Sequence, residues 1–168
     1  TEQIRGMEGI IRHARVANPS VDIVTMYFVD PDKMETYNQG KVPEVIINHD
    51  KVAEHYEISS INLAKEVTDR INAGEFTWKD DFKDLHPSPF GQIIYYNSIR
   101  AFLETVWQNP PNKSIKYPWP EKLDQFCYDR GELIDIEKAS IIHDWKIDLS
   151  WQPAKGERTR RGYVNVPM

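Results

Sequence analysis

The feature that most constrains the fold is residues 21–28, Val-Asp-Ile-Val-Thr-Met-Tyr-Phe, a run rich in β-branched and aromatic side chains. Such residues favour a β-strand, and the nearly continuous apolarity predicts a strand covered on both faces, as in a parallel sheet. A second candidate strand, residues 58–63, follows after an intervening helical pattern. The alternation of strands and helices therefore predicts an α/β fold.

Helical patterns surround these two strands. Residues 3–17 place apolar side chains at three- and four-residue steps with basic residues between them, which predicts an amphipathic helix. Residues 30–42 open on Asp30-Pro31 and show no clear period, so they are predicted to form a turn and a surface loop. Three further helices are expected, over about 43–56, 63–73 and 89–107.

Length and charge limit the classes of function. The 168 residues, 40% of them hydrophobic, suffice for one ordinary domain, or one domain plus an appendage. The net charge of −5 is spread without clusters of either sign, so a nucleic-acid partner is disfavoured. No apolar run approaches the roughly 18–20 residues that cross a bilayer, so no membrane span is expected. The compartment is left open, because a signal peptide of a secreted or periplasmic protein is removed from the mature chain.

The composition changes after Gln108. Prolines at 110, 111, 118 and 120 predict a stiff, extended connector, and residues 139–143 and 145–151 alternate like antiparallel strands. We therefore expect one domain over 1–109, followed over 110–168 by a connector rich in Pro and Trp and the start of a β-rich accessory region. The chain begins without a methionine and stops on the strand-like residues 164–168, so it is expected to be an excerpt of a longer protein.

One loop combines a carboxylate with an imidazole just before the last predicted helix. Asp84 and His86 are two residues apart, and Pro87 biases the backbone of His86 towards an extended conformation. A carboxylate in this position could fix the tautomer of the imidazole, so that its other nitrogen serves as a base. The alternative is a purely structural role, in which Ser88 or Asp84 caps the helix.

Residues 84–92, Asp-Leu-His-Pro-Ser-Pro-Phe-Gly-Gln, resemble the last conserved block of the SGNH (GDSL-like) hydrolase family, and the resemblance covers about residues 3–108. It implies a partial flavodoxin-like three-layer α/β/α fold, of which residues 1–109 would be the C-terminal half. It also implies ester hydrolysis by a Ser-His-Asp triad, with His86 as general base and Asp84 as the acid that orients it. No metal or organic cofactor is implied, and the expected substrate is a small ester or an acetylated carbohydrate.

The chain departs from the family pattern in two ways. The family usually places the aspartate three residues before the histidine, where Lys83 stands, so Asp80 or Asp81 could supply the carboxylate instead. No serine stands in a Gly-Asp-Ser or Gly-x-Ser-x-Gly setting, and the glycine and asparagine blocks of the oxyanion hole are missing as well.

We therefore expect this chain to lack the N-terminal half of its domain and to be inactive alone, because triad members act as a unit. The competing interpretation is a non-catalytic binding or assembly module on a hydrolase-like scaffold. A half-sheet would also leave an open strand edge, through which the chain is expected to self-associate.

The remaining candidates are interpreted as structural. Cys127 has aromatic neighbours on both sides and is predicted to be a buried thiol without a catalytic role. His49 and His55 are six residues apart, unlike the four-residue spacing of a helical metal site. Four aromatic residues could stack on sugar rings, but we prefer the interpretation that they form part of a core or of an interface between domains. These residues are Tyr117, Trp119, Trp145 and Trp151.

Overall fold

The structure, a computed structural model, describes residues 1–108, 110, 115–132, 134, 135, 138, 140 and 150. The chain divides into two compact units, Thr1–Gly131 and Glu132–Met168. The first unit extends past the boundary expected near residue 110. The predicted strands over 139–143 and 145–151, with Trp145 and Trp151, lie almost entirely outside the described residues.

The first unit contains five α-helices, two strands and one π-helical turn among its described residues. In chain order they are α1 (Glu2–Ala17), β1 (Val24–Met26), α2 (Pro31–Asn38), α3 (Glu44–His55), β2 (Ser59–Ile61), α4 (Leu63–Asn72), the π-helical turn (Trp78–Phe82) and α5 (Pro89–Gln108).

The two strands form a small parallel sheet, in which Met26 of β1 lies opposite Ile61 of β2. The backbone pairing continues past β1, because the Tyr27 N–H donates to the Ile61 carbonyl at 3.0 Å and the Tyr27 carbonyl accepts from the Ala64 N–H at 2.7 Å. Since α2 and α3 form the crossover between the strands, the described part has the predicted α/β arrangement, in a helix-rich form.

The prediction that the first strand is covered on both faces is wrong for the described residues. Thr25 and Tyr27 are buried, whereas Val24, Met26 and Phe28 keep 37%, 40% and 47% of their surface exposed. Successive side chains of a strand point to opposite faces. The described residues therefore cover one face of β1 fully and the other only in part, although Phe28 packs edge-on against Tyr95 of α5, with the ring centres 5.2 Å apart.

The second correction concerns α2, which occupies residues predicted to form a turn and a loop. The Asp30 carboxylate accepts from the Lys33 N–H at 2.8 Å and caps the helix, and Pro31 is its first residue. Proline suits this position because its fixed φ matches the helix and its missing N–H would have no helical partner. The Asp-Pro pair here begins a helix.

The third finding concerns the buried face of α1. The helix forms as predicted, but Ile10 and Val16 are 67% and 71% exposed, while Glu8, Arg12 and Arg15 are buried. These charged side chains face residues 117–129, here called the strap, which folds back along α1. The exposed hydrophobic residues show that the apolar pattern alone does not identify the buried face.

The described residues form two core clusters, one on either side of α3. The larger cluster packs the end of β1 against α4, the π-helical turn and α5 around the fully buried Phe82, and the smaller packs α1 against α3 around the fully buried Tyr56. The Tyr95 hydroxyl on α5 accepts from the Val29 N–H at 3.2 Å, which fixes α5 just past the carboxyl end of β1. Cys127 is only 7% exposed, which confirms its predicted burial.

Candidate functional site

The loop that carries Asp84 and His86 begins with a sharp backbone turn at Lys83. Lys83 has φ = 80°, in the left-handed region that few residues other than glycine adopt, and its N–H donates to the Trp78 carbonyl. The preceding residue, Phe82, is completely buried. The loop therefore leaves the core at a fixed point and in a fixed direction.

The other end of the loop returns to the same place. The Ser88 N–H donates to the Phe82 carbonyl at 3.0 Å, and the Ser88 hydroxyl donates to the Asp81 carbonyl. The same hydroxyl accepts from the Gly91 N–H at 3.3 Å, as a helix-capping serine does. Ser88 therefore has the capping role and, with Phe82, closes the base of the loop.

Gly91 allows α5 to approach this loop closely. A Cβ atom at this position would lie 2.6 Å from Pro87 Cβ and 2.9 Å from the Phe82 ring, well inside contact distance. The sequence interpretation did not single out Gly91. The available signal was a glycine in the first turn of a predicted helix. Glycine destabilises a helix relative to alanine, so its presence there can indicate a close contact that leaves no room for a side chain.

Asp84 and His86 lie on the loop between these anchor points, and both are exposed. The Asp84 Oδ1 atom accepts from the Leu85 N–H at 2.5 Å. Asp84 Oδ2 and both ring nitrogens of His86 have no hydrogen-bond partner among the described residues. The structure thus places the two groups on one short loop without joining them.

The two alternative carboxylates differ in their availability. Asp81 Oδ2 accepts from the Thr77 N–H at 2.8 Å and from the Thr77 hydroxyl at 3.1 Å, so it stabilises the π-helical turn. Asp80 is exposed, and its carboxylate has no partner in the described part of the chain. Among the described residues Asp84 therefore keeps one carboxylate oxygen and Asp80 both oxygens without a partner, whereas Asp81 is already bound.

The histidines of α3 lie elsewhere and contact different groups. His49 is half-buried, its ring centre 6.2 Å from that of Tyr27, and burial lowers the pKa of the His49 imidazole. Asp50 accepts from the Tyr27 hydroxyl at 2.7 Å, while His55 Nε2 contacts the Glu121 carbonyl at 2.7 Å. Within the described residues no group of three His, Cys, Asp or Glu side chains is arranged to hold a metal ion.

A polar cleft of about 270 Å³ lies where α2 and α3 begin, beyond the carboxyl end of β1. Lys33 forms an ion pair with Asp30 in its wall, so these two charges neutralise each other. Asp84 and His86 do not line this cleft. The lining residues are Asp30, Asp32, Lys33, Thr36, Pro43, Glu44 and Val45.

Comparisons with protein-family models, with the curated proteins and with the solved structures found no match to this chain. None of the described helices has the length and apolarity needed to cross a membrane. The function must therefore be argued from the loop residues and their surroundings.

Proposed function

We propose that this chain is part of a serine ester hydrolase of the SGNH type, and that His86 is its general base. The observation that carries this proposal is an exposed imidazole with two free nitrogens, on a loop whose ends are both anchored at Phe82. A catalytic base needs a nitrogen that is free to take a proton, and the anchored loop backbone limits the region that the imidazole can reach. Asp84, two residues earlier, supplies the nearest carboxylate in sequence and retains a free oxygen.

The proposed reaction proceeds through an acyl-serine, with the serine supplied by a part of the protein outside this chain. One nitrogen of His86 takes the proton of the serine hydroxyl as its oxygen attacks the ester carbonyl. His86 then gives that proton to the leaving alcohol. In the second half of the reaction, His86 takes a proton from a water molecule as that water attacks the acyl-serine, and returns that proton to the serine oxygen as the carboxylic acid leaves. Asp84 would turn its free oxygen towards the other ring N–H and stabilise the imidazolium.

The proposed fold is a three-layer α/β/α sandwich in which β1 and β2 are two of several parallel strands. Its support is the less covered side of β1, where Val24, Met26 and Phe28 expose apolar surface that a further layer would cover. For the substrate we favour a small acyl group, such as the acetyl group of a carbohydrate. Leu85 on the loop and Phe90 at the start of α5 are 55% and 41% exposed and offer apolar surface close to His86 in sequence.

The test is p-nitrophenyl acetate hydrolysis by this chain and by the longest natural form of the protein. His86→Ala is compared in each with His13→Ala, because His13 is an exposed histidine on α1, outside the loop, that can react with this ester nonspecifically. The long form should lose about three orders of magnitude or more in kcat with His86→Ala and nothing with His13→Ala. Equal activities of the two variants would contradict a catalytic role for His86.

The acid is identified by Asp84→Asn and Asp80→Asn in the same long form. If Asp84 orients His86, its replacement lowers kcat by up to about four orders of magnitude, as expected for a wrong tautomer. Asp80→Asn then leaves kcat unchanged. The reverse result would assign the orienting role to Asp80.

One observation favours the second candidate, a non-catalytic binding or assembly module. The Asp84 carboxylate binds the Leu85 N–H, and no hydrogen bond joins it to His86 in the described structure. If the long form does not hydrolyse p-nitrophenyl acetate and His86→Ala leaves its folding unchanged, the binding or assembly module is the better assignment.

A further inference from the structure

The inference concerns the strap and α1, and begins with Arg15. The Arg15 guanidinium lies over the Tyr117 ring, 4.7 Å from its centre, and Arg15 Nη1 donates to the Pro118 carbonyl at 3.1 Å. Arg15 is only 3% exposed, and burial lowers the pKa of its guanidinium. One buried arginine thus contacts both members of an aromatic–proline pair.

Arg12 repeats this contact one helical turn earlier. Its guanidinium lies over the Trp119 ring at 4.1 Å, and Arg12 Nη1 donates to the Pro120 carbonyl at 3.2 Å. Side chains three residues apart on a helix lie on one face. Arg15 contacts the pair at 117 and 118, and Arg12 contacts the pair at 119 and 120. Arg12 and Arg15 therefore contact residues 117–120 in register, with the segment running antiparallel to α1.

Glu8 extends this register by another turn. Its carboxylate is completely buried and accepts from the Leu123 N–H at 2.7 Å and from the Asp124 N–H at 3.0 Å. It also accepts from the Tyr56 hydroxyl at 2.7 Å, and that hydroxyl accepts from Arg12 Nη1 at 2.8 Å. Glu8 and Tyr56 thereby fix the guanidinium of Arg12 in position.

The contacts of Arg12 and Arg15 depend on two features of the bound peptide, an aromatic ring and the carbonyl of the proline that follows it. Proline has no N–H to donate, so its carbonyl is the main polar group it offers, and arginine supplies donors for it together with a flat cation for an aromatic ring. The Nε atom of Arg15 is buried and has no acceptor among the described residues, so the site retains an unused donor. Trp119 remains 50% exposed, so the segment lies on the surface.

We propose that Glu8, Arg12 and Arg15 of α1 form a binding site for an extended peptide in which alternating aromatic and proline residues are followed by free backbone N–H groups. Residues 117–124 occupy this site within the chain, with residues 117–120 on Arg12 and Arg15 and the Leu123 and Asp124 amides on Glu8. The same segment of a second copy can replace them. The second copy is the partner to which we commit, because it carries the pattern that is seated on the site in this structure.

The test uses two full-length variants that complement each other. In the first, Tyr117→Ala with Trp119→Ala weakens the segment and leaves the site intact; in the second, Arg12→Lys with Arg15→Lys keeps the charge but removes the flat, forked donors. Each variant alone should be monomeric by light scattering. Their mixture should form a one-to-one complex, since the free segment of one fits the free site of the other.

A labelled synthetic peptide of residues 115–125 measures the same site directly. Its affinity for the first variant should exceed that for the unchanged chain by at least about tenfold, because the chain's own segment no longer competes at a high effective concentration. It should not bind the second variant. A mixture that stays monomeric, together with equal peptide affinities for both variants, would overturn the proposal.

A further measurement covers the case in which either variant fails to fold, as judged by circular dichroism. Hydrogen exchange of the Leu123 and Asp124 amides is followed in the unchanged chain, with and without millimolar peptide. If the peptide replaces the segment, these amides lose their bonds to Glu8 and exchange several-fold faster. Unchanged exchange at saturating peptide would refute the replacement.

Discussion

Replacing Gly91 with alanine would place a methyl group 2.6 Å from Pro87 Cβ and 2.9 Å from the Phe82 ring. Carbon atoms pack best at about 3.5–4.0 Å, so relief requires a shift of roughly 1 Å in the loop or in α5. Such overpacking typically costs about 1–3 kcal/mol, against which the better helix propensity of alanine returns about 0.5–1 kcal/mol. The expected result is a net loss of stability, seen as a fall in Tm of about 2–4 °C per kcal/mol for a chain of this size.

The matched control is Gly6→Ala in α1, where the nearest atom to a new Cβ is Tyr128 Cδ2 at 4.0 Å. This change should stabilise the protein by about 0.5–1 kcal/mol, because it introduces no overlap. Urea unfolding followed by tryptophan fluorescence measures both variants. A Gly91→Ala protein as stable as the Gly6→Ala protein would refute the close approach of α5 to the loop.

Three further predictions concern buried or paired charges. Glu8→Ala should lower the free energy of unfolding by about 3–5 kcal/mol, since it leaves buried donors without their acceptor, and a loss below about 1 kcal/mol in urea titrations would contradict this. Burial raises the pKa of Tyr27 to about 12, so the stability that its neutral form contributes is complete below the ordinary tyrosine value of 10.0 and is lost as the pH rises towards 12. Tyr27→Phe should remove the part of this alkaline loss that Tyr27 contributes, while Tyr56, whose pKa burial also raises to about 12, keeps its own part. Unfolding measured on either side of that range compares the variant with the unchanged chain. The backbone N–H of Phe126 and the Arg5 ion pair lower the pKa of Asp124 below 3.8. The stability that the Asp124 carboxylate contributes is therefore present above 3.8 and is lost as the pH falls through the pKa of the folded state. Asp124→Asn should make the stability depend less on pH in this acid range.

Elements defined by neighbouring residues could be predicted from the sequence. β1 and β2 lie inside the predicted runs 21–28 and 58–63, and α4 and α5 begin at the expected residues. α2 was missed because Asp30 and Pro31 suit a turn as well as a helix start. The two are distinguished by the backbone bonds that follow, such as the Met34 N–H donating to the Asp30 carbonyl at 3.0 Å.

The buried face of α1 could not be predicted, because its partners are distant in sequence. Arg5 binds Asp124 at 2.8 Å, across a separation of 119 residues. A helix whose charged side chains pair with such a remote segment has a local pattern identical to that of a helix with a solvated charged face. Nothing in residues 2–17 alone distinguishes these two situations.

The candidate site shows the same division between local and distant information. The position of the loop before α5 follows from neighbouring residues, as does the capping by Ser88. The orientation of the Asp84 carboxylate depends on which N–H it meets, and the structure gives it the Leu85 N–H. The spacing of Asp84 and His86 predicts a shared loop and does not determine a hydrogen bond between them.

The long separation between α1 and the strap also has a consequence for synthesis. A ribosome makes the chain from its N-terminus, so Glu8, Arg12 and Arg15 emerge long before the residues that will bury them. Until the strap leaves the exit tunnel, α1 can dock on α3 through its apolar contacts and through the bonds of Glu8 and Arg12 to the Tyr56 hydroxyl, but Arg15 has no strap carbonyl to bind. The entropic cost of closing a loop grows only slowly with its length, so the long separation affects the rate of folding more than the final stability. The strap is therefore expected to be the last part of the first unit to dock on the growing protein.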